Sequence, residues 1–184
     1  MALDSLHELY VEELKDLYNA ENQLLKALPK MVKAATHPEL KNAFKEHLEV
    51  TRNQIARLET IFEKLEESPK GKKCKAMEGL VAEASETIAE EGVAAVKDAA
   101  LIASAQRVEH YEMAGYGCVR TFAKLLGYDD AVELLQTTLD EEGAADKALT
   151  ELAETIINID AENADDEESE EEVDAKPKKV TAKR

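Results

Sequence analysis

Carboxylates interrupt the apolar stripes of three predicted helices. Glu21 stands in line with leucines in the first helix, and Glu142 and Asp146 do the same in the last. In another helix Glu112 interrupts the stripe, and Glu109 lies one turn earlier on nearly the same face. Burying several carboxylates is costly unless a positive charge compensates them. Because carboxylates on facing helices bind iron or manganese, this pattern predicts a two-metal centre inside a helical bundle.

The second predicted helix supplies the weakest candidate ligand. Glu49 borders the apolar stripe of this helix and does not interrupt it, but we include it in the predicted site. The partner position of the usual Glu-x-x-His pair holds Arg52, which cannot bind a metal ion. Gln54 could offer an oxygen, although a spacing of five residues places it well off the face of Glu49. A fully symmetrical set of metal ligands is therefore in doubt.

Each pair of acidic residues also has an ordinary structural explanation. Glu109 and Glu112 could form an exposed pair beside Arg107. Glu142 belongs to a run of three acidic residues, one of which would fall near the stripe by chance, and Asp146 could support the site from behind. Several carboxylates at similar depth on different helices are harder to explain as solvated charges. Their arrangement favours a buried site.

Histidines and tyrosines near these carboxylates are expected to have supporting roles. His47 and His110 lie about 100 to 200° around their helices from the neighbouring candidates, so we expect them to orient carboxylates and not to bind metal. Tyr18, Tyr111 and Tyr116 are expected at similar depth. Their hydroxyls could donate to ligand carboxylates or intercept oxidising equivalents, and core packing is the alternative.

Helix signals in the sequence organise the chain into four long helices and a short one. Thr36 and Glu39 have the spacing of a capping box at the start of the second helix, and Pro29 predicts a kink in the first. The predicted helices run from residue 4 or 5 to 35, from 36 to 66, from 75 to 89, from 94 to 126, and from 129 or 130 to 159. Two hairpins joined by a crossover are typical of an all-α, ferritin-like four-helix bundle, which we assign to residues 1–160.

Composition excludes several classes of function. The net charge of −17 disfavours nucleic-acid binding by the bundle, and no segment approaches the roughly 20 apolar residues that cross a bilayer. Residues 161–184 predict a disordered tail, acidic and then basic, whose basic end is the one part that could touch nucleic acid or a membrane surface. Nine acidic and five basic residues give the tail a charge of −4, so −13 remains on the body. Cys74 and Cys118 match no zinc or redox spacing and suit reduced thiols in a cytoplasmic protein.

Five separated segments resemble the YciF/YciE-type family of bacterial stress proteins, a ferritin-like family. The resemblance spans residues 3 to 159 in the right order and does not include the tail. The segments are DLYNAENQL at 16–24, HLEVT at 47–51, CKAMEGL at 74–80, VEHYE at 108–112 and EEGAAD at 141–146.

The resemblance implies a rubrerythrin-like bundle, usually dimeric, with a di-metal carboxylate site. The metal-binding positions that it implies are Glu21, Glu49, Glu109, Glu112, Glu142 and, less directly, Asp146. Some relatives carry His at the position of Arg52.

These observations lead to one principal functional hypothesis and two alternatives. The first is a stress-related protein with two iron ions, or one iron and one manganese, that reduces peroxide or oxidises ferrous iron with dioxygen or peroxide. No Cys-rich electron-transfer module is visible in the sequence, so an external electron donor is required. The alternatives are a dimeric interaction or structural protein whose metal only stabilises the fold, and an iron-storage shell.

Overall fold

The computed structural model describes residues 4–164, and within this range it contains helices and no strands. The all-α prediction is confirmed, and the short crossover helix and the third long helix have the predicted bounds. The helices are α1 (Leu6–Ala34), α2 (Pro38–Lys64), α3 (Lys75–Ala89), α4 (Ala94–Leu126) and α5 (Asp129–Leu152). A π-helical turn at Ala153–Ile157 continues α5, and helical backbone extends to residue 164. The predicted tail from residue 165 onward lies outside the described residues.

A side-chain cap marks the start of α1, and a glycine ends α4. Ser5 caps α1 by accepting a hydrogen bond from the Glu8 amide at 3.1 Å. Gly127 ends α4 with φ +79°, a left-handed conformation that glycine adopts without steric cost. Pro29 lies inside α1, which continues through it as one helix.

The predicted capping box at the start of α2 is wrong. The cap residue is His37, whose Nδ1 accepts from the Glu39 amide, and not Thr36. The backbone amide and hydroxyl of Thr36 instead donate to Asp98 on α4, at 2.8 and 2.6 Å, and the His37 amide donates to the same carboxylate at 2.7 Å. A capping box uses a local partner, but here a carboxylate from a distant helix takes that role.

The four long helices form a bundle, and α3 packs against two of them. Helix α1 packs against α2 and α4, while α5 packs against α4 and α2. Helix α3 connects the two hairpins and contacts α1 and α4. At Gly115 the backbone of α4 approaches α1 so closely that an added Cβ would lie 2.7 Å from Leu17 Cδ2. None of the described helices is both long and apolar enough to span a membrane.

The apolar core of the bundle is divided into two clusters along its length. One cluster includes Leu24, Phe44 and Leu149 and lies toward α3. The other includes Leu14 and Leu58 and lies toward the opposite end. Buried polar residues occupy the level between the two clusters, and we call this level the polar layer; its members are Glu21, His47, Thr51, Gln54, Glu109, Glu112 and Glu142.

Candidate metal centre

All four long helices contribute potential metal-binding atoms to the polar layer. His47, Glu109, Glu112 and Glu142 each offer one such atom, and these atoms lie within 4.8 Å of one another. Glu21 of α1 is not one of these four residues, but it is fully buried and close enough for the charge of Glu142 to raise its pKa. Each of the four carboxylates is 3% exposed or less. We refer to these five residues as the carboxylate cluster.

The position of His47 corrects an expectation from the sequence. We expected this residue off the ligand face, but its Nε2 lies 3.5 Å from Glu109 Oε1 and 3.9 Å from Glu142 Oε2. The reason is the phase of α2, whose inward face follows His47, Thr51 and Gln54. These residues are spaced by four and three, so they share one face of the helix.

Gln54 is likewise buried, although its spacing from Glu49 seemed to place it away from the site. Its amide donates a hydrogen bond to Glu142. The signal that the sequence offers is spacing, because Gln54 lies three residues after Thr51 and four before Leu58, both on the buried face of α2. The neighbouring apolar residues Leu48 and Ile55 are only half-buried.

Glu49 does not join the cluster. It lies on the outward face of α2, where its side chain is 68% exposed and pairs with Arg52. Asp146 lies beside the cluster, where Oδ1 accepts from Gln106 Nε2 at 3.1 Å and lies 3.4 Å from His110 Nε2. Its charge still acts on the nearest cluster carboxyl, that of Glu109.

Most of the unsatisfied polar atoms in the described residues belong to this layer. Buried side-chain atoms without a hydrogen-bond partner occur in Glu21, Gln54, His47 and three further glutamates of the cluster, and both oxygens of Glu112 are among them. Tyr10 Oη is the one such atom elsewhere in that part of the chain. Because buried polar atoms are nearly always paired, the concentration of unpaired oxygens and one ring nitrogen at this level is chemically suited to hold a cation.

The protonation properties of the cluster follow from burial. Burial, and then the charges of neighbouring carboxylates, raise the pKa values of Glu21, Glu109 and Glu112 well above the usual range. Burial raises the pKa of Glu142 to about 7 and lowers that of His47 to about 4. Without a cation the site therefore retains protons on its carboxyl groups and keeps its imidazole neutral. A cation would replace those protons, and a neutral imidazole is the form that binds metal.

Neighbouring residues hold the cluster carboxylates in place. Tyr116 donates a hydrogen bond from its hydroxyl to Glu21 Oε1 at 2.5 Å. Behind Glu142, Arg57 binds both oxygens of Glu141 at 2.6 Å. Tyr116 and Gln54 thus each hold one oxygen, of Glu21 and Glu142 respectively, and the second oxygen of each carboxylate has no partner.

The other two tyrosines singled out from the sequence contact carboxylates outside the cluster. Tyr18 donates to Glu59 at 2.9 Å. Tyr111 donates to Asp16, and its hydroxyl lies 2.9 Å from the buried thiol of Cys74. Cys74 is a free thiol, in agreement with the expectation of reduced cysteines.

Comparison with known proteins identifies relatives of the whole bundle. Residues 5–162 match the family described as "Domain of unknown function (DUF892)". Protein YciF of Escherichia coli (strain K12) is 46% identical over 165 residues, which cover 89% of this chain and 99% of the relative.

Solved structures show the same arrangement of helices. The crystal structure of the E. coli stress protein YciF superposes with a TM-score of 0.81 at 45% identity, covering 84% of this chain and 98% of the other. YcfI of Rhodopseudomonas palustris, whose description suggests a structural protein, superposes with a TM-score of 0.78 at 45% identity, covering 80% and 94%. A Xanthomonas campestris protein at 22% identity shares the fold, with a TM-score of 0.71 and coverage of 88% and 99%. The family match and the identity to YciF together establish that this chain belongs to the DUF892 family, the family of the E. coli stress protein YciF.

Proposed function

We propose that this protein binds a di-metal carboxylate centre and uses it as an oxidoreductase that reduces peroxide or oxidises ferrous iron. Two iron ions, or one iron and one manganese, are the cations we expect. The observation that carries the proposal is the set of unpaired buried oxygens on Glu21, Glu109, Glu112 and Glu142, beside the unpaired Nε2 of His47.

Charge balance supports two divalent ions over one. Four ionised carboxylates carry four negative charges, which two divalent cations neutralise. A single divalent ion would leave two buried negative charges to be compensated by protons. Carboxylate oxygens with one imidazole are ligands that iron and manganese both accept, whereas the absence of thiolates from the cluster disfavours a structural zinc site.

The residues around the cations would divide the work. Glu21, Glu109, Glu112 and Glu142 would bind the ions from three helices, and His47 would complete the set from the fourth. The centre would supply electrons to the peroxide, and an external donor would restore them. Burial of the layer would exclude bulk water from the reaction.

The first experiment measures metal content. Untagged protein would be reconstituted anaerobically with ferrous iron, freed of excess metal and analysed by plasma mass spectrometry. We expect about two ions per chain in the native protein. Glu112→Gln should lose most of the metal with its helical circular dichroism retained.

Glu49→Gln is the matched control, because it makes the same chemical change on the exposed face of α2. This variant should bind metal as the native protein does. Loss of metal in both variants would point to a nonspecific effect of lowered charge. Absence of metal in the native protein would refute the proposal.

A second candidate is a structural stress protein in which the metal only stabilises the bundle. The description of YcfI from R. palustris as a structural protein favours it. In that case the loaded protein would melt at a higher temperature than the metal-free form but would consume neither hydrogen peroxide nor an organic hydroperoxide when reduced chemically.

A further inference from the structure

An apolar cavity of about 280 Å³ extends into the bundle and reaches the carboxylate cluster. Its walls come from all five helices and include Leu24, Phe44 and Leu149. Glu109 and His47 are the cluster residues in its lining. The cavity is partly open to solvent, so it is a pocket that enters the bundle and not a closed void.

The cavity opens between α2 and α5. Its exposed lining residues are Glu46 on α2 and Ala144 and Ala148 on α5. Alanines on this face of α5 leave the entrance open, because larger side chains there would extend toward α2. A molecule could therefore pass from solvent to Glu109 without displacing a helix.

Unpartnered polar atoms mark the part of the cavity that meets the cluster. Glu109 Oε2 and His47 Nε2 are buried and have no hydrogen-bond partner. Their side chains are only 4% and 11% exposed. A ligand here would thus have an apolar body and one polar end.

The lining also indicates the charge of the ligand. Its ionisable residues are His47 and three glutamates, Glu46, Glu109 and Glu141, with no Lys or Arg among the residues that form the wall. In the metal-free protein an ionised fatty acid would bring a further carboxylate beside Glu109, with no cation in the cavity wall to compensate it. An uncharged hydroxyl or hydroperoxide can donate a hydrogen bond to Glu109 instead.

The size of the cavity limits the occupant to a slender molecule. An apolar cavity of about 150 Å³ in another protein holds benzene, so this one has room for a chain of roughly eight to twelve carbons. A helix of a second copy is about 10 Å across and could cover the entrance but not fill the interior.

We propose that this cavity binds an uncharged aliphatic molecule with a terminal oxygen, an alcohol or a hydroperoxide, whose oxygen lies against Glu109 and His47. As a statement about substrate class it rests on the proposed function, since it makes an aliphatic hydroperoxide the peroxide that is reduced. As a binding site it requires only the side chains described above and no metal.

The test uses the full chain, freed of metal with a chelator, so that it is independent of the metal measurement. N-phenyl-1-naphthylamine, whose fluorescence rises in apolar sites, would be titrated into the protein and displaced with 1-decanol or with decanoate. We expect saturable binding of the dye, displacement by decanol, and displacement by decanoate that is about tenfold weaker.

Ala148→Trp should close the entrance and weaken dye and decanol binding by about tenfold. Ala103→Trp places the same side chain on an exposed part of α4 outside the cavity, and it should bind as the native protein does. Ala144→Trp provides a second closing variant if Ala148→Trp loses helical circular dichroism.

Three results would overturn the proposal: no saturable binding, equal binding by both closing variants and the native protein, or equal displacement by decanoate. A change of mass in light scattering for the closing variants, with dye binding unaltered, would identify the entrance as an interface between copies. If the protein binds metal but not decanol, the proposed function stands and the cavity proposal fails. If it binds decanol but not metal, the cavity proposal stands and the proposed function fails.

Discussion

Replacing Glu142 with Gln should stabilise the metal-free protein at pH 8. The pKa of Glu142 is about 7 in the fold against its ordinary value of 4.5, so the folded state retains the proton where the unfolded state has lost it. Stability therefore falls as pH rises from 4.5 to 7, by about 1.4 kcal/mol per unit of pKa difference. At pH 8 ionisation of Glu142 lowers the free energy of unfolding of the native protein by about 3 kcal/mol, a loss that the uncharged Gln variant avoids. At pH 5 most of this difference between the two proteins should be absent.

Urea denaturation of chelator-treated protein at pH 8 and pH 5 measures this difference. The Gln54 amide can still donate to the new side chain, so little hydrogen bonding is lost. Glu49→Gln is the surface control and should change stability by no more than about 0.5 kcal/mol at either pH. Saturating ferrous iron should reverse the order, with the native protein more stable than Glu142→Gln.

One outcome would refute this reasoning directly. If Glu142→Gln is less stable than the native protein at pH 8 without metal, the carboxylate is ionised at no cost in the fold. The protein itself would then compensate the charge, and the inference of a cation from unpaired carboxylates would lose its basis.

Three further predictions concern the surroundings of the cluster. Gly115→Ala would place a Cβ 2.7 Å from Leu17 Cδ2. We therefore expect urea denaturation to show a free energy of unfolding lower by about 1–3 kcal/mol, and metal analysis to show lower occupancy. Unchanged stability would mean that α1 and α4 can separate freely. Asp98→Ala removes the acceptor of the Thr36 hydroxyl and of two backbone amides. The same assay should show a free energy of unfolding lower by about 2–4 kcal/mol. A decrease below about 0.5 kcal/mol would show that water replaces the carboxylate as acceptor. His47 should titrate near pH 4 by NMR in the metal-free protein. Because its pKa in the folded state lies below the ordinary value of 6.5, protein stability should fall as pH falls from 6.5 to 4. A titration midpoint near 6.5 would show that the His47 ring is hydrated.

The carboxylates on α1, α4 and α5 could be found from the sequence because each breaks a regular apolar stripe. Glu21, Glu112 and Glu142 stand at positions that helical periodicity assigns to the core, and all three are buried. The ends of α3 and α4 were equally predictable, because Gly92 follows α3 closely and Gly127 ends α4.

The inward face of helix α2 could not be predicted correctly, because two different stripes have helical spacing in its sequence. A stripe through Leu48 and Ile55 is more apolar, yet the structure buries the one through His47 and Gln54. Only the presence of a polar layer at this depth, supplied by the other helices, makes the second stripe favourable. A single helix carries no information about that layer, so Glu49 was included and His47 was left out.

The polar layer separates the two apolar clusters, and this has a consequence for how the bundle unfolds. Each cluster is continuous within itself, but the two meet only across a level of polar groups that lack hydrogen-bond partners. Without metal, the ends of the bundle should exchange their amide hydrogens as two units of different stability. Cations that bind all four helices at that level would link the ends, so metal loading would determine whether the protein opens in two steps or in one.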